Sequence, residues 1–404
     1  MKKVVIIGAG PAGLTAAINA CSEDTMVTIL ESNGEVGKKL LLTGNGRCNY
    51  FNEVFDTSKF YSNDSNLLDS IINEDNIDRV YKFFNNLGIE TKVKNGYMYP
   101  YSNKASTVRN ALLDECLLRG VDIRYNYTVQ DIDYVDGHYV IDKTIECDVV
   151  VIATGGLSIP KTGSTGFAKS VSDEFDLIYV PNTPSLVKLN TDSDLSLISG
   201  VRCDAKVSLY VDNKLIKSEV GEVQFNKDSI SGICVFNISR SAIIGLEKNK
   251  RVSLFVDLLP QVKYEDVVSF LDNKARNMKD ITVYAFLSRI FNEKIVNYLL
   301  KVSSVKDIKI YNKLSLEEKI NIAKNISKLK FNITGGGDYT TAEVTTGGIS
   351  LLELDLNTFE AKRQKGLFFI GECVDVDGDC GGYNLGFAWI SGILAGSFIR
   401  GNHD

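Results

Sequence analysis

A glycine-rich turn near the start of the chain constrains the fold more than any other feature of the sequence. Residues 4–7 form an apolar run that predicts a buried strand, and the turn Gly8-Ala9-Gly10-Pro11-Ala12-Gly13 follows it directly. Helical spacing over residues 14–21 and a second apolar run over residues 26–30 come next. This order predicts a βαβ unit that holds the pyrophosphate of a dinucleotide at a helix N-terminus.

The glycines of this turn have separate predicted roles. Gly8 permits the tight turn, Gly10 lets the backbone approach a pyrophosphate, and Gly13 lets the helix pack closely on the strand. Glu31, which lies 23 positions after Gly8, is placed to bind ribose hydroxyls. Because a carboxylate at this point disfavours a phosphorylated ribose, FAD or NAD fits better than NADP.

Other glycine-rich segments favour FAD over NAD. The polar loop 37–49 follows the ribose-binding acid, residues 153–156 follow a buried strand, and residues 381–385 open the last helix. The positive end of that helix would stabilise the charge that a reduced flavin gathers around N1. Glu372 is expected to meet a ribityl hydroxyl. Besides Gly8, Gly10, Gly13 and Glu31, the residues predicted to bind the cofactor are Pro11, Ala12, Lys39, Gly44, Asn45, Gly46, Arg47, Cys48, Asn49, Ala153, Thr154, Gly155, Gly371, Glu372, Gly382, Tyr383, Asn384 and Leu385.

These segments, with residues 160–166 and 345–348, resemble the BaiN/RdsA family of flavoproteins, also called aminoacetone-oxidase-like. The elements Gly46-Arg47-Cys48-Asn49 and Gly381-Gly382-Tyr383-Asn384-Leu385 are specific, whereas residues 185–330 match loosely. The resemblance implies an α/β fold, with a discontinuous, Rossmann-like FAD-binding domain of the glutathione-reductase type and an inserted β-rich plus helical domain. We expect the FAD-binding domain at residues 1–184 and 345–404, the β-rich insertion at 185–262 and 331–344, and the helical insertion at 263–330.

The resemblance also implies bound FAD and an oxidoreductase activity. Family members are described as reducing a carbon–carbon double bond conjugated to a carbonyl group. The substrate is either uracil in large-subunit ribosomal RNA, which gives dihydrouridine, or a bile-acid or steroid-like enone. Another member is described as an aminoacetone-type amine oxidase that uses O2. A third hypothesis, from a different class, is a flavin-holding assembly or RNA-binding protein without turnover.

The charge of the helical insertion bears on the choice between ribosomal RNA and a small molecule as the substrate. Residues 271–330 carry 13 Lys and Arg against 6 Asp and Glu, a net charge of +7, whereas the whole chain has a net charge of −6. A basic segment in an acidic protein indicates either a polyanionic partner such as ribosomal RNA or a solvated helical surface. The cations expected to contact RNA phosphates are Arg276, Lys279, Arg289, Lys294, Lys301, Lys306 and Lys309.

Reduction of a conjugated double bond also needs a proton donor near the flavin. Hydride goes to the β-carbon of the unsaturated carbonyl, and a general acid protonates the α-carbon. The candidate general acids are Cys380, Tyr383 and Cys48, although each side chain could instead have a packing role. The sequence contains no second GxGxxG, so we expect NAD(P)H to bind transiently as the electron donor.

The remaining sequence features concern metal binding, membrane association and cellular location. The sequence has no CxxC pair and two histidines, His138 and His403, which argues against a metal site. The apolar stretch 387–399 is shorter than the roughly 20 residues that a membrane helix needs. The first strand begins without a cleavable leader, so we expect a cytoplasmic protein that does not bind membranes. The sequence gives no indication of oligomeric state.

Overall fold

The computed structural model describes residues 1–401, so His403 lies outside the described residues. The strands are β1 (Lys2–Ile7), β2 (Thr25–Leu30), β3 (Phe51–Asn52), β4 (Phe60–Tyr61), β5 (Thr91–Lys94), β6 (Tyr97–Pro100), β7 (Asp122–Arg124), β8 (Ile132–Val135), β9 (His138–Ile141), β10 (Ile145–Cys147), β11 (Val149–Ile152), β12 (Tyr179–Ser185), β13 (Leu189–Thr191), β14 (Arg202–Val211), β15 (Lys214–Phe225), β16 (Ser229–Ser231), β17 (Val252–Asp257), β18 (Leu329–Gly336), β19 (Val344–Ile349), β20 (Leu367–Phe369) and β21 (Asp377–Gly378). The helices are α1 (Pro11–Ala20), α2 (Thr43–Gly46), α3 (Glu74–Asn86), α4 (Ala105–Leu118), α5 (Phe167–Glu174), α6 (Ile233–Glu247), α7 (Val267–Ala275), α8 (Val283–Leu287), α9 (Glu293–Val302), α10 (Leu316–Ser327) and α11 (Tyr383–Arg400).

The chain divides into two compact units. Unit 1 contains Met1–Pro184 and the chain from Tyr339 onward, and unit 2 contains Ser185–Asp338. Unit 1 is built on a five-stranded sheet in the order β20-β11-β1-β2-β7, with every neighbouring pair parallel. The predicted Rossmann-like α/β fold class is therefore confirmed.

Strand β1 occupies the middle of this sheet because its apolar residues are buried on both faces. Val4, Val5, Ile6 and Ile7 are each at most 4% exposed, as expected for a parallel strand covered on both sides. Helix α1 follows β1 through the glycine turn and packs against the last helix, α11. This order places the N-terminus of α1 at the carboxyl edge of the sheet.

Helices α1 and α11 approach closely through glycines of α11. A Cβ atom at Gly392 would lie 2.7 Å from the Ala12 carbonyl oxygen, and one at Gly396 would lie 2.5 Å from the Ala16 carbonyl oxygen. Any side chain at either position would push the helices apart. The two ends of the chain are thereby joined in one core beneath the glycine turn.

Unit 2 contains a closed barrel and a group of helices. The barrel strands follow the order β13-β16-β15-β14-β17-β18, and α6 packs on strands β14 to β18. Helices α7 to α10 precede the last barrel strand. Helix α10 begins with a complete capping box formed by Ser315 and Glu318.

The secondary structure differs in three places from what the local sequence pattern indicates. The β-rich insertion expected at 185–262 also includes the 15-residue helix α6, whose buried Val235, Ile238 and Ala242 have helical spacing. Apolar residues have helical spacing over 64–87 but do not form one helix, because the Asn73 side chain caps a new helix, α3, by accepting from Asn76 N. The helical pattern extended to Lys330, which in fact lies in β18.

Candidate active site

Three glycine-rich segments meet at the carboxyl edge of the parallel sheet in unit 1. Gly8 follows β1, residues 153–155 follow β11, and Gly371 follows β20. A Cβ atom at Gly8 would lie 2.6 Å from the Ala153 carbonyl oxygen, and one at Gly371 would lie 2.8 Å from Ala12 Cβ. Ligands of open α/β sheets bind outside this edge.

The glycines of the first turn divide into two structural classes. A Cβ atom at Gly13 would lie 2.0 Å from the Gly8 carbonyl oxygen, so Gly8 and Gly13 are needed for close packing. A Cβ atom at Gly10 would meet no described atom within 4 Å. Gly10 therefore presents open backbone at the N-terminus of α1, which is suited to an anion.

Glu31 is held in place by the same turn. It is buried, and its Oε2 accepts a hydrogen bond of 2.8 Å from Ala9 N. Its Oε1 accepts from Asn33 N at 2.8 Å and from Asn33 Nδ2 at 2.7 Å. Ser32 Oγ also donates to Oε1, at 3.3 Å, so the second lone pair of Oε2 is the position left for a ribose hydroxyl.

The loop 37–49 contains a left-handed turn. Gly44, Asn45 and Gly46 have φ angles of 56°, 55° and 78°, so the single turn α2 is not a right-handed helix. Consecutive amides in such a conformation form a concave surface that attracts anions. The Arg47 guanidinium lies 5.8 Å from the centroid of the Tyr99 ring, which leaves the side chain beside this turn.

A partly buried polar network lies beside Gly371. Lys39 Nζ is 2.5 Å from Glu372 Oε2 and also donates to Ser158 Oγ. Glu372 Oε1 accepts from Ser158 Oγ at 2.7 Å and from Thr345 N at 3.0 Å. The sequence singled out Lys39 and Glu372 but not their partners, which border the glycine-rich segments 153–156 and 345–348.

The turn before α11 is fixed by backbone contacts. The Asn384 side chain accepts from Gly378 N and donates to the Gly378 carbonyl oxygen, both at 2.8 Å. Gly382 has a φ of +90°, and a Cβ atom there would lie 2.5 Å from the Phe51 carbonyl oxygen. Asn384 thus shapes the helix N-terminus, and Leu385 follows it half-buried in the first turn of α11.

The three candidate proton donors have different surroundings. Cys48 is fully buried, and burial raises the pKa of its thiol to about 12. Tyr383 begins α11, and burial together with the nearby Tyr97 and Asp379 raises the pKa of its hydroxyl to about 12. Cys380 is partly exposed next to Gly381. Cys380 and Tyr383 therefore suit proton donation better than Cys48, and Tyr97 is a neighbour that the sequence did not indicate.

The residues at this edge fit an FAD molecule. Besides the open backbone at Gly10, the side-chain atoms Asn49 Oδ1 and Thr154 Oγ1 are buried and have no hydrogen-bond partner among the described residues. Both belong to segments predicted to bind the cofactor. Buried polar atoms without partners are costly, so a ligand with hydroxyl or phosphate groups would satisfy them.

Within residues 1–401, no group of three or more His, Cys, Asp or Glu side chains is arranged to hold a metal ion. No helix in the same range is long and apolar enough to cross a membrane.

Comparison with known proteins agrees with this geometry. A family profile described as the HI0933-like protein Rossmann domain matches residues 2–398. The chain is 32% identical over 402 residues to the 3-dehydro-bile acid delta(4,6)-reductase of Clostridium scindens, and the match covers 98% of each chain. It is 28% identical over 398 residues to the ribosomal RNA dihydrouridine synthase of Escherichia coli, covering 96% of this chain and 95% of that one.

One solved structure shows a similar fold. The 3-ketosteroid-delta4-(5alpha)-dehydrogenase from Rhodococcus jostii RHA1, in complex with 4-androstene-3,17-dione, has a TM-score of 0.51 and 14% sequence identity. The similarity covers 99% of this chain and 97% of that chain. At this identity the likeness concerns the fold alone.

Proposed function

Because the chain belongs to the HI0933-like Rossmann family, which its motifs indicated under the name BaiN/RdsA, we propose that it reduces a carbon–carbon double bond conjugated to a carbonyl group. The protein is an FAD-dependent oxidoreductase. The observation that carries the proposal is the meeting of Gly8, Gly155 and Gly371 at the carboxyl edge of one parallel sheet. FAD, when bound, supplies the acceptor and donor of hydride.

The residues of the chain bind and orient this cofactor. The open backbone at Gly10 and the N-terminus of α1 hold the pyrophosphate, and Glu31 holds a ribose. Lys39 and Glu372 lie farther along the edge, where Glu372 Oε2 retains one lone pair for a ribityl hydroxyl. The N-terminus of α11 would stabilise negative charge on a bound reduced flavin.

We infer that NAD(P)H supplies the electrons and binds transiently. A proton must reach the α-carbon of the substrate, and Cys380 is the proposed donor because it is partly exposed beside the α11 turn. Cys380→Ala should retain bound flavin and its reduction by NAD(P)H but lose substrate turnover. Cys147→Ala, at a buried thiol of β10 outside the predicted site, serves as the control and should keep turnover. Full turnover in Cys380→Ala would remove this thiol from the mechanism.

Uracil in large-subunit ribosomal RNA is the first candidate substrate. The cations Arg276, Lys279, Arg289, Lys294, Lys301, Lys306 and Lys309 are all exposed. Lys309 pairs with Glu318, whereas the other six form no salt bridge with any described residue. Exposed cations without acidic partners can neutralise phosphates at little cost in lost ion pairs. An RNA substrate would also place the enzyme in the cytoplasm.

A small conjugated enone is the second candidate substrate. The relative named a 3-dehydro-bile acid reductase is 32% identical to this chain, whereas the relative named a ribosomal RNA dihydrouridine synthase is 28% identical. Such a substrate has the same arrangement of double bond and carbonyl group as uracil. It would need none of the basic residues on unit 2.

Nucleoside mass spectrometry of large-subunit ribosomal RNA separates these candidates. RNA from cells with the gene, without it, and with a Gly10→Val copy should be compared for dihydrouridine. Loss of dihydrouridine without the gene, restored by the wild-type copy but not by Gly10→Val, supports ribosomal RNA as the substrate. Unchanged dihydrouridine would reject it, and reduction of a 4-en-3-one steroid by the purified enzyme would then support the second candidate.

A further inference from the structure

Two tyrosine rings converge on the glycine turn that precedes α11. Tyr97 lies on β6, and Tyr383 is the first residue of α11. A Cβ atom at Gly381 would lie 2.7 Å from Tyr383 Cε2 and 3.1 Å from Tyr97 Cε1. These ring atoms are adjacent to the carbons that carry the hydroxyl groups. The ring edges next to the two hydroxyl groups therefore flank the same glycine, Gly381.

The turn that separates the two rings is held rigidly. Gly381 has a φ of +144°, and its carbonyl oxygen accepts a hydrogen bond of 2.9 Å from Asn52 Nδ2. Asn52 lies on β3, which pairs with β6 through Asn52 and Tyr97. The same residue thus connects the turn before α11 to the strand that carries Tyr97. Donor groups held in this way need little reorganisation when charge develops near them.

The surroundings keep the Tyr383 hydroxyl protonated. Tyr383 packs against Phe55 and Phe60, with ring centroids at 5.7 Å and 5.8 Å. Burial, together with the nearby Tyr97, Asp379 and Asp56, raises the pKa of its hydroxyl to about 12. A hydroxyl in this state donates hydrogen bonds at neutral pH.

We propose that the hydroxyls of Tyr97 and Tyr383 together donate hydrogen bonds to the carbonyl oxygen of the substrate. The inference rests on the proposed function. When hydride adds to the β-carbon, the π electrons of the double bond move toward the carbonyl and leave an enolate oxygen. Two phenol donors stabilise that charge more than they stabilise the neutral carbonyl. The α-carbon then takes a proton, so NAD(P)H is oxidised and the substrate gains two hydrogen atoms.

This role is chemically distinct from that of the proton donor. Cys380 is proposed to deliver a proton to carbon, whereas the two tyrosines keep their protons and lower the energy of the enolate. The arrangement suits a planar substrate with one carbonyl oxygen conjugated to the reducible bond. Both uracil and a 4-en-3-one steroid meet this requirement.

Binding of an enolate mimic tests the proposal without turnover. The probe is 4-nitrophenolate, a planar anion with its charge on a conjugated oxygen, titrated calorimetrically into the flavin-loaded enzyme. Tyr97→Phe and Tyr383→Phe should each weaken binding about tenfold or more, because each removes a hydrogen bond to a charged oxygen. Tyr101→Phe, at a 68% exposed residue just beyond β6, should bind the probe as the wild type does.

The outcomes distinguish failure of this inference from failure of the proposed function. Wild-type affinity in both Phe variants, or no binding of 4-nitrophenolate by the wild-type enzyme, would overturn the inference. If Tyr383→Phe fails to retain flavin, Tyr97→Phe alone decides. The variants could bind the probe more weakly although the wild-type enzyme reduces neither an enone nor uracil. That result would support the donor pair and reject the proposed reaction.

Discussion

Lys39 and Glu372 are 333 residues apart in the sequence and form an ion pair of 2.5 Å at the carboxyl edge of the sheet in unit 1. Their side chains are 21% and 20% exposed, and Ser158 contacts both. The pair joins the loop that follows β2 to the turn that follows β20. Both segments are predicted to hold the cofactor, so the pair connects the stability of the fold to the affinity for FAD.

Replacing Lys39 should lower both the stability of the fold and the affinity for FAD. Lys39→Met leaves the Glu372 carboxylate without its cation, which should cost about 2 kcal/mol of stability, between the values for exposed and fully buried pairs. Urea unfolding and fluorescence titration with FAD measure the two effects. Lys82→Met removes the Lys82–Asp78 pair, whose side chains are 72% and 59% exposed, and should change neither. Equal stability and equal FAD affinity of the two variants would show that the network around Lys39 and Glu372 is needed for neither property.

The glycines of the first turn should separate binding from folding. Gly10→Val adds a side chain where no described atom lies within 4 Å, so the protein should fold normally but purify with little flavin. Gly13→Ala places a Cβ atom 2.0 Å from the Gly8 carbonyl oxygen and should destabilise the fold by about 1–3 kcal/mol or more. Thermal unfolding and flavin content measure the two effects. Normal flavin content in Gly10→Val would contradict the assigned pyrophosphate site.

Buried thiols should make the fold sensitive to alkaline pH. Burial raises the pKa values of Cys48, Cys116 and Cys147 from 9.0 to about 12. Below pH 9 these thiols are protonated in both the folded and the unfolded state, so their contribution to the stability of the fold is complete. Between pH 9 and 12 they ionise in the unfolded state alone, and stability falls by up to about 1.4 kcal/mol per pH unit for each thiol.

Urea unfolding at several alkaline pH values measures this loss. Cys116→Ala should lower the stability at every pH but show a shallower decline above pH 9, since one titrating thiol is removed. Leu112→Ala, at a fully buried residue of the same helix, should lower the stability and keep the wild-type decline. Identical declines in the two variants would contradict the thiol assignment.

The basic helices of unit 2 should determine affinity for RNA. Combined replacement of Lys279, Arg289 and Lys306 by Glu should weaken binding to a ribosomal RNA fragment and flatten its salt dependence by about 0.9 per lost phosphate contact. Filter binding at several salt concentrations gives this slope. The matched control replaces Lys248, Lys250 and Arg251, exposed cations of unit 2 outside the basic segment, by Glu. Equal slopes for the two triple variants would make the basic segment a solvated surface.

Sequence patterns predicted those parts of the fold whose defining residues lie close together in the chain. The βαβ unit was predictable because the strand, the turn and the Glu31 carboxylate lie within 31 residues of each other. Helix α6 was missed although Val235, Ile238 and Ala242 carry helical spacing, because the alternating strands on both sides dominated the pattern. Its first residue follows Gly232, which offers no side-chain cap to mark the start.

The sequence predicted which segments form the candidate site but not which side chains of those segments contact each other. Ser158 contacts Glu372 across 214 residues, and Tyr97 reaches the turn before α11 through the pairing of β3 with β6. No local pattern records such contacts, since they depend on how the strands are ordered in space. Glycine-rich motifs indicate where the backbone approaches a ligand, whereas the side chains that act there come from elsewhere in the chain.

A single-turnover experiment tests the central claim, that this flavoenzyme reduces a conjugated carbon–carbon double bond. The holoenzyme is reduced with NAD(P)H under argon, then mixed with ribosomal RNA or a 4-en-3-one steroid while the flavin absorbance and product mass are followed. We predict that one of these substrates reoxidises the flavin and gains two hydrogen atoms. Failure of both substrates, combined with bleaching of the oxidised enzyme by an amine and peroxide formation in air, would contradict the account and identify an amine oxidase.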